Sequence, residues 1–299
     1  MNWKTAIKDY EFYLKIERGL SENSVNNYIF DIRKLEKYLL DSSINSLPLT
    51  ISQEEIQQFI YTVSKEVQAS SLARLISGLK NFFSYLVFED LRQDNPVELI
   101  ESPKTGRKLP DVLSIGDIDS LINAIDLSKP EGQRNKAILE TLYGCGLRVS
   151  ELLDLSISDL YFEEGFIKVT GKGNKQRFVP ISNTAIKHIN LYLNELRCHL
   201  TIDPKFSDIV FLNRRGKKLS RAMIFTIIKQ LAVKINLDKK ISPHTFRHSF
   251  ATHLLQNGAN LRAIQQMLGH SSITTTEIYM HIDRQHLSEV IHTYHPRNN

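Results

Sequence analysis

Apolar residues recur at helical intervals along nearly the whole chain, and the period drops to two in one short window, Phe166 to Ile181. This pattern predicts a mainly α molecule with a small antiparallel β-sheet at one edge. At the amino end, Ile7, Tyr10, Tyr13 and Leu14, then Val25, Ile29, Ile32, Leu35 and Leu39, mark two amphipathic helices. Gly19 ends the first and Ser21 opens the second. A third begins at Ser52, where SQEE reads as a capping box, and a fourth spans 70–88. Further helices are expected over 114–126, 131–144, the SELLDLSISDL run after GLR, 183–200, 220–236, 244–257 and 260–268. In the alternating window, Phe166, Ile167 and Val169 face Phe178, Val179 and Ile181 across GKGNKQR, a hairpin with a lysine-rich tip.

Between the fourth helix and residue 114 the chain reads NPVELIESPKTGRKLPDVLS, with three prolines, a glycine and no sustained period. Such a stretch joins domains. The expected division is 1–104 and 105–299, with a linker over about 102–113 and a carboxyl-terminal tail over about 286–299. A chain of 299 residues, 41% of them hydrophobic, has material for two cores. Charge is unevenly divided: residues 1–104 hold 12 Lys+Arg against 15 Asp+Glu, leaving 26 against 18 for the rest. The second part is the basic one, the footprint of a polyanionic partner, although solvated basic faces give the same count. No apolar stretch suits a signal core or a membrane span, so a cytoplasmic protein with no membrane partner is expected. Cys145 and Cys198 lack metal-ligand or disulfide spacing and read as ordinary thiols.

Six residues stand out for chemistry: Arg148 in GCGLRVSELLDL, Lys172 in GKGNKQRFVPI, His244 and Arg247 in PHTFRHSFATHLL, and His270 and Tyr279 in LGHSSITTTEIYMHI. Two arginines grip a phosphate through planar forks of N–H donors, histidines hold or move protons, and a tyrosine can attack phosphorus. Each alone has an ordinary reading: a helix aromatic for Tyr279, a helix start for His244, a helix end for His270, a solvated turn for Lys172. His244, His248 and His253 also permit a zinc reading, but no HExxH pattern or acidic cluster accompanies them.

These four segments resemble the signature boxes of the tyrosine recombinases, the phage integrase family, in order, spacing and context. The resemblance extends to the two-part layout, the LPDVLS linker and the overall length. Within the family it is similar to the Xer group of chromosome-dimer recombinases; integrases of mobile elements share the chemistry. It implies a C-shaped clamp on double-stranded DNA, with a helical core-binding domain at 1–104 and a catalytic domain at 105–299. It also implies a catalytic set of Arg148, Lys172, His244, Arg247, His270 and Tyr279. Tyr279 is then the nucleophile that forms a 3′-phosphotyrosyl link, and the two arginines stabilise the pentacoordinate phosphorus. His244 accepts or positions the tyrosine proton, His270 donates to the phosphate, and Lys172 protonates the leaving 5′ oxygen. Lys175 and Arg177 are neighbours able to touch phosphate, Glu151 can orient Arg148, and Asp159 can support another part of the site. One phosphoester replaces another, so no cofactor, ATP or metal is expected.

The run NRRGKKLSRAMI ends in a helix start suited to phosphate, or forms a solvated loop. In the tail, Leu287, Val290 and Ile291 keep an apolar stripe. The resemblance implies that it docks on a neighbouring protomer in a cyclic tetramer of this chain, alone or with a related recombinase; packing on its own domain is the alternative. An activating DNA translocase is a further partner implied in the same way. A supercoil-relaxing topoisomerase and a non-catalytic DNA-binding protein remain the other readings of the same residues.

Overall fold

The computed structural model describes residues 1–104, 111–269 and 280–298. The chain divides into two compact units, Met1–Lys108 and Leu109–Asn299. No described helix is long and apolar enough to cross a membrane.

The first unit holds α1 (Trp3–Ile16), α2 (Glu22–Asp41), α3 (Gln53–Ser64) and α4 (Ala69–Phe88). Gly19, at φ +57°, turns the chain out of α1. At the start of α3 the expected capping box is present: Ser52 Oγ accepts from the Glu55 amide, and the Glu55 carboxylate accepts from the Ser52 amide. The apolar stripes of all four helices meet in one core, where the buried Tyr10 ring lies 5.2 Å from Phe82 and its hydroxyl donates to Asn81. A charged pair joins α2 to α4. Asp31 of α2 is buried, and Arg74 of α4 donates to both its oxygens at 2.7 Å. Gly78, one turn on, leaves room for that carboxylate: a Cβ there would sit 2.5 Å from Asp31 Oδ2.

The second unit contains α5 (Ile115–Asn123), α6 (Gly132–Cys145), α7 (Val149–Leu153), β1 (Leu160–Tyr161), β2 (Phe166–Thr170), β3 (Gln176–Pro180), α8 (Asn183–Glu195), α9 (Arg221–Lys234), α10 (Pro243–Gln256), α11 (Leu261–Leu268) and α12 (Met280–Tyr294). Helix α6 is its axis: every residue from Ala137 to Cys145 is buried, with α8 and α10 packed against it. The sheet runs β1-β2-β3, all antiparallel, with Ile167 opposite Val179 and Val169 opposite Arg177.

One expectation needs correction, and one open alternative is seen in the single chain. The SELLDLSISDL run does not stay helical: α7 stops at Leu153, and a 3-10 turn over Ile157–Asp159 leads into β1. The segment finds backbone partners far along the chain instead, Leu155 O accepting from the Val210 amide and the Ile157 amide donating to Asp208 O. The tail stripe is buried at home: Leu287, Val290 and Ile291 belong to the core of the second unit. Beyond them the His295 ring lies 4.8 Å from Tyr143 and 5.3 Å from Phe250, and Arg297 donates to Glu140 at 3.0 Å and Asp119 at 2.6 Å.

Candidate active site

Arg148 and Arg247 are distant in sequence and come from different helix ends. Arg148 is the N-cap of α7, held by Glu151 three residues on: one Glu151 oxygen accepts from the Arg148 amide at 2.8 Å, the other from its guanidinium at 2.7 Å. Arg247 lies in the second turn of α10. Its Nη1 donates to Gly146 O at 2.9 Å and its Nη2 to Leu268 O, so it is gripped by carbonyls at the carboxyl ends of α6 and α11. Those ends carry partial negative charge, a suitable seat for a buried cation. Both helices stop at left-handed glycines, Gly146 at φ +58° and Gly269 at φ +64°, a conformation that costs any other L-residue about 1–2 kcal/mol.

Glu151 joins the two arginines and recruits a third. Its carboxylate lies 3.8 Å from Arg247 Nη1, and Arg177 of β3 grips it with two bonds of 2.8 and 3.0 Å. Burial alone would raise the Glu151 pKa; the Arg177 and Arg148 donors outweigh it and hold the carboxyl below its ordinary value. Burial, with Arg148 nearby, pulls the Arg247 guanidinium down to about 10, so it is charged at neutral pH. Three guanidiniums against one carboxylate leave a local excess of two positive charges among the described residues. Such an excess in a poorly hydrated place is an anion site. Arg148 is the most accessible of the three, its side chain 30% exposed against 15% for Arg177 and 8% for Arg247.

A cleft of about 510 Å³ opens beside Arg247, lined also by His244, His248, Lys240 and Ser242. Ser242 caps α10 in a box with Thr245, and Pro243 occupies the first helical position, so His244 stands exposed in the first turn, three residues before Arg247. That spacing puts both side chains on one helix face. The structure thus brings Arg148, Arg247 and His244 into one neighbourhood. Lys172 opens the one-turn 3-10 segment at the hairpin tip, Lys172–Asn174; its side chain, His270 and Tyr279 lie outside the described residues.

Other candidates move. Arg177 is no free phosphate hook: each of its three nitrogens has a fixed protein acceptor, Nε donating to Met267 O at 2.8 Å. Its inward direction was legible in the alternation of β3, since Arg177 shares a face with buried Val179. Glu151 serves three arginines rather than Arg148 alone. Asp159 pairs with Lys168 at 2.7 Å on the sheet. His253 turns into the core, its Nδ1 2.9 Å from the Tyr143 hydroxyl, and burial lowers its pKa. Among the described residues no three His, Cys, Asp or Glu side chains converge as a metal ion needs. In the basic run, Arg214, Arg215 and Arg221 are exposed around the start of α9, whose cap is Ser220, while Lys218 bonds Asp154.

Residues 112–286 match the phage integrase family model, and residues 7–90 match the phage integrase N-terminal SAM-like domain. Tyrosine recombinase XerD of Staphylococcus haemolyticus is 40% identical over 295 residues, 98% of this chain and 99% of the relative. XerD of Staphylococcus saprophyticus is 42% identical over 294 residues, with the same shares. Among solved structures, XerH site-specific recombinase bound to a palindromic difH substrate aligns at TM-score 0.70 and 24% identity, over 96% of this chain and 84% of that one. A lambda integrase dimer bound to a core site aligns at 0.72 and 18%, over 93% and 100%. These last two likenesses concern the fold.

Proposed function

This chain belongs to the phage integrase family, and from that membership we propose that it resolves chromosome dimers by recombining two copies of a short chromosomal site. It is a site-specific tyrosine recombinase, an enzyme that cleaves and rejoins DNA strands. The observation that carries the reading of the site is the guanidinium cluster on Glu151, an anion seat with two uncompensated positive charges, open beside His244.

Arg148 and Arg247 hold the non-bridging oxygens of the scissile phosphate and strengthen their grip as charge builds on the pentacoordinate phosphorus. Tyr279 Oη attacks phosphorus, giving its proton toward His244, while His270 donates to a phosphate oxygen. The P–O5′ bond breaks, Lys172 protonates the departing 5′ oxygen, and a 3′-phosphotyrosyl link remains. Attack by the 5′ hydroxyl of another strand reverses these steps, releases the tyrosine and builds a four-way junction. Bond energies nearly balance, so strand exchange proceeds without ATP or a metal ion.

The chain binds double-stranded DNA mainly through phosphates, so affinity falls steeply with salt. It acts in the cytoplasm as a cyclic tetramer, of itself or with a related recombinase, and a DNA translocase triggers it. The tail stripe, seated at home in the single chain, passes to a neighbour in that assembly; tetramers that persist after deletion of residues 286–299 would remove this part.

The test is to trap covalent protein–DNA adducts with denaturant, using Tyr279→Phe as control, and to sequence the attached fragments. Adducts at one recurrent chromosomal locus, absent from Tyr279→Phe, are expected. Adducts at the ends of mobile elements would replace dimer resolution with integration, and adducts surviving in Tyr279→Phe would displace the nucleophile.

A further inference from the structure

We infer that Arg177 is a positioning residue for the cleavage step: it sets the hairpin turn that carries Lys172 in register with the Arg148–Arg247 pair. The inference rests on the proposed role of Lys172 as the proton donor to the leaving oxygen.

The hairpin is two five-residue strands ending in a one-turn tip, which includes two left-handed residues, Gly173 at φ +72° and Asn174 at φ +59°. The Gly171 amide donates to Lys175 O at 2.8 Å and closes the turn. Such a tip needs an anchor beneath it if an ammonium on it is to meet one oxygen of a held phosphate, since about 1 Å of misplacement costs orders of magnitude in rate.

Arg177 supplies the anchor. It leaves β3 two residues after the turn, on the inward face, and forks onto both oxygens of Glu151, the carboxylate that also fixes Arg148 and lies against Arg247. Its Nε ties the same guanidinium to Met267 O near the end of α11, one residue before the Leu268 carbonyl that holds Arg247. The glycine before Lys172 rests directly on this assembly: a Cβ on Gly171 would lie 3.3 Å from Arg177 Nη1 and 3.4 Å from Glu151 Oε1. On the other side, a Cβ on Gly269 would lie 3.0 Å from Arg177 Cδ and Nε. The guanidinium is therefore wedged between the backbone before Lys172 and the backbone after α11, with every nitrogen committed to protein. Lysine at 177 keeps the charge but has one nitrogen for three acceptor positions, so it preserves the field and loses the register.

The test uses the full chain and single-turnover cleavage of two substrates, an ordinary phosphodiester and a 5′-bridging phosphorothioate whose sulfur leaves without a proton. Arg177→Lys, Lys172→Ala and the double variant are compared. On the ordinary substrate Arg177→Lys is expected to slow cleavage by about 10- to 100-fold, within the range for a displaced general acid. The sulfur substrate restores most of that loss, as it does for Lys172→Ala, and the double variant is about as slow as Lys172→Ala alone. A defect in Arg177→Lys of equal size on both substrates, beside a rescued Lys172→Ala, overturns the inference alone. An unrescued Lys172→Ala overturns the proton-donor assignment and takes the inference with it. If circular dichroism shows Arg177→Lys to be unfolded, Gly171→Ala replaces it, since its methyl presses on the same guanidinium from a backbone angle alanine accepts. The same sulfur-dependent rescue is expected there, and a defect indifferent to sulfur, or none, overturns the inference.

Discussion

Asp31 and Glu151 are carboxylates of nearly equal burial, 1% and 2% exposed, and their environments push them in opposite directions. Around Asp31, burial outweighs the two bonds from Arg74 and raises the pKa. Around Glu151, burial is overcome by Arg177 and Arg148, and the pKa falls. The number of fixed donors decides the sign. One half-exposed arginine makes Asp31 a staple between α2 and α4 that carries a residual cost. Three arginines make Glu151 the shared anion of a cluster with positive charge to spare.

Glu151→Gln attacks the comparison at its stronger end. It leaves three guanidiniums, two of them largely buried, without their carboxylate, and breaking such a group costs about 3–5 kcal/mol. Urea unfolding should show a loss of that size, and cleavage should disappear with it; a loss under about 1 kcal/mol would mean that the arginines do not need a common anion. Asp31→Asn should cost less, about 1–2 kcal/mol, because Arg74 is half exposed and rehydrates. Acid sharpens the pair. The Glu151 carboxyl sits below its ordinary 4.5, so the unfolded chain binds more protons there, and its contribution is lost as pH falls from 4.5 through the folded value. Asp31 sits above its ordinary 3.8, so the folded chain binds more protons, and the wild-type advantage over Asp31→Asn grows as pH falls toward 3.8. Parallel pH slopes for the two variants would refute the opposite signs.

His295 extends the series to a buried group with no opposite charge beside it among the described residues. Burial holds its pKa at about 3, and among the described residues its Nε2 has no hydrogen-bond partner. The ring is neutral in the folded chain, so stability is full above the ordinary 6.5 and declines as pH falls toward 3. His295→Phe should change neutral-pH stability least of the three, by under about 1 kcal/mol, and flatten the decline between pH 6.5 and 3. An unchanged acid slope would place the sensitivity elsewhere.

Helices were legible where local signals agree, as with the Ser52–Glu55 box and the glycine after α1. Legibility failed after α7: the SELLDLSISDL run reads as helical, yet Leu155 and Ile157 find their backbone partners in Val210 and Asp208, about fifty residues away. Of the candidate site, the types and spacing of Arg148, His244 and Arg247 were legible, but the wiring that joins them was not. A sequence shows that Arg177 falls on the inward phase of a strand; only the fold shows that Glu151 is what it meets. The tail stripe likewise announced that it would be buried and was silent about the surface that buries it.

Gly146 has a consequence for genetics. A Cβ there would meet the buried Phe250 ring at 2.4 Å, and the same ring packs on His295, so one aromatic forms a wall shared by the turn before Arg148 and the end of the tail. A lesion at Gly146 would therefore be relieved in part, the left-handed strain remaining, by a second change that shortens residue 250, and such suppressors would carry a loosened tail as their secondary phenotype. The arginine turn and the tail would appear as one locus in a suppressor screen, although about 150 residues of sequence separate them.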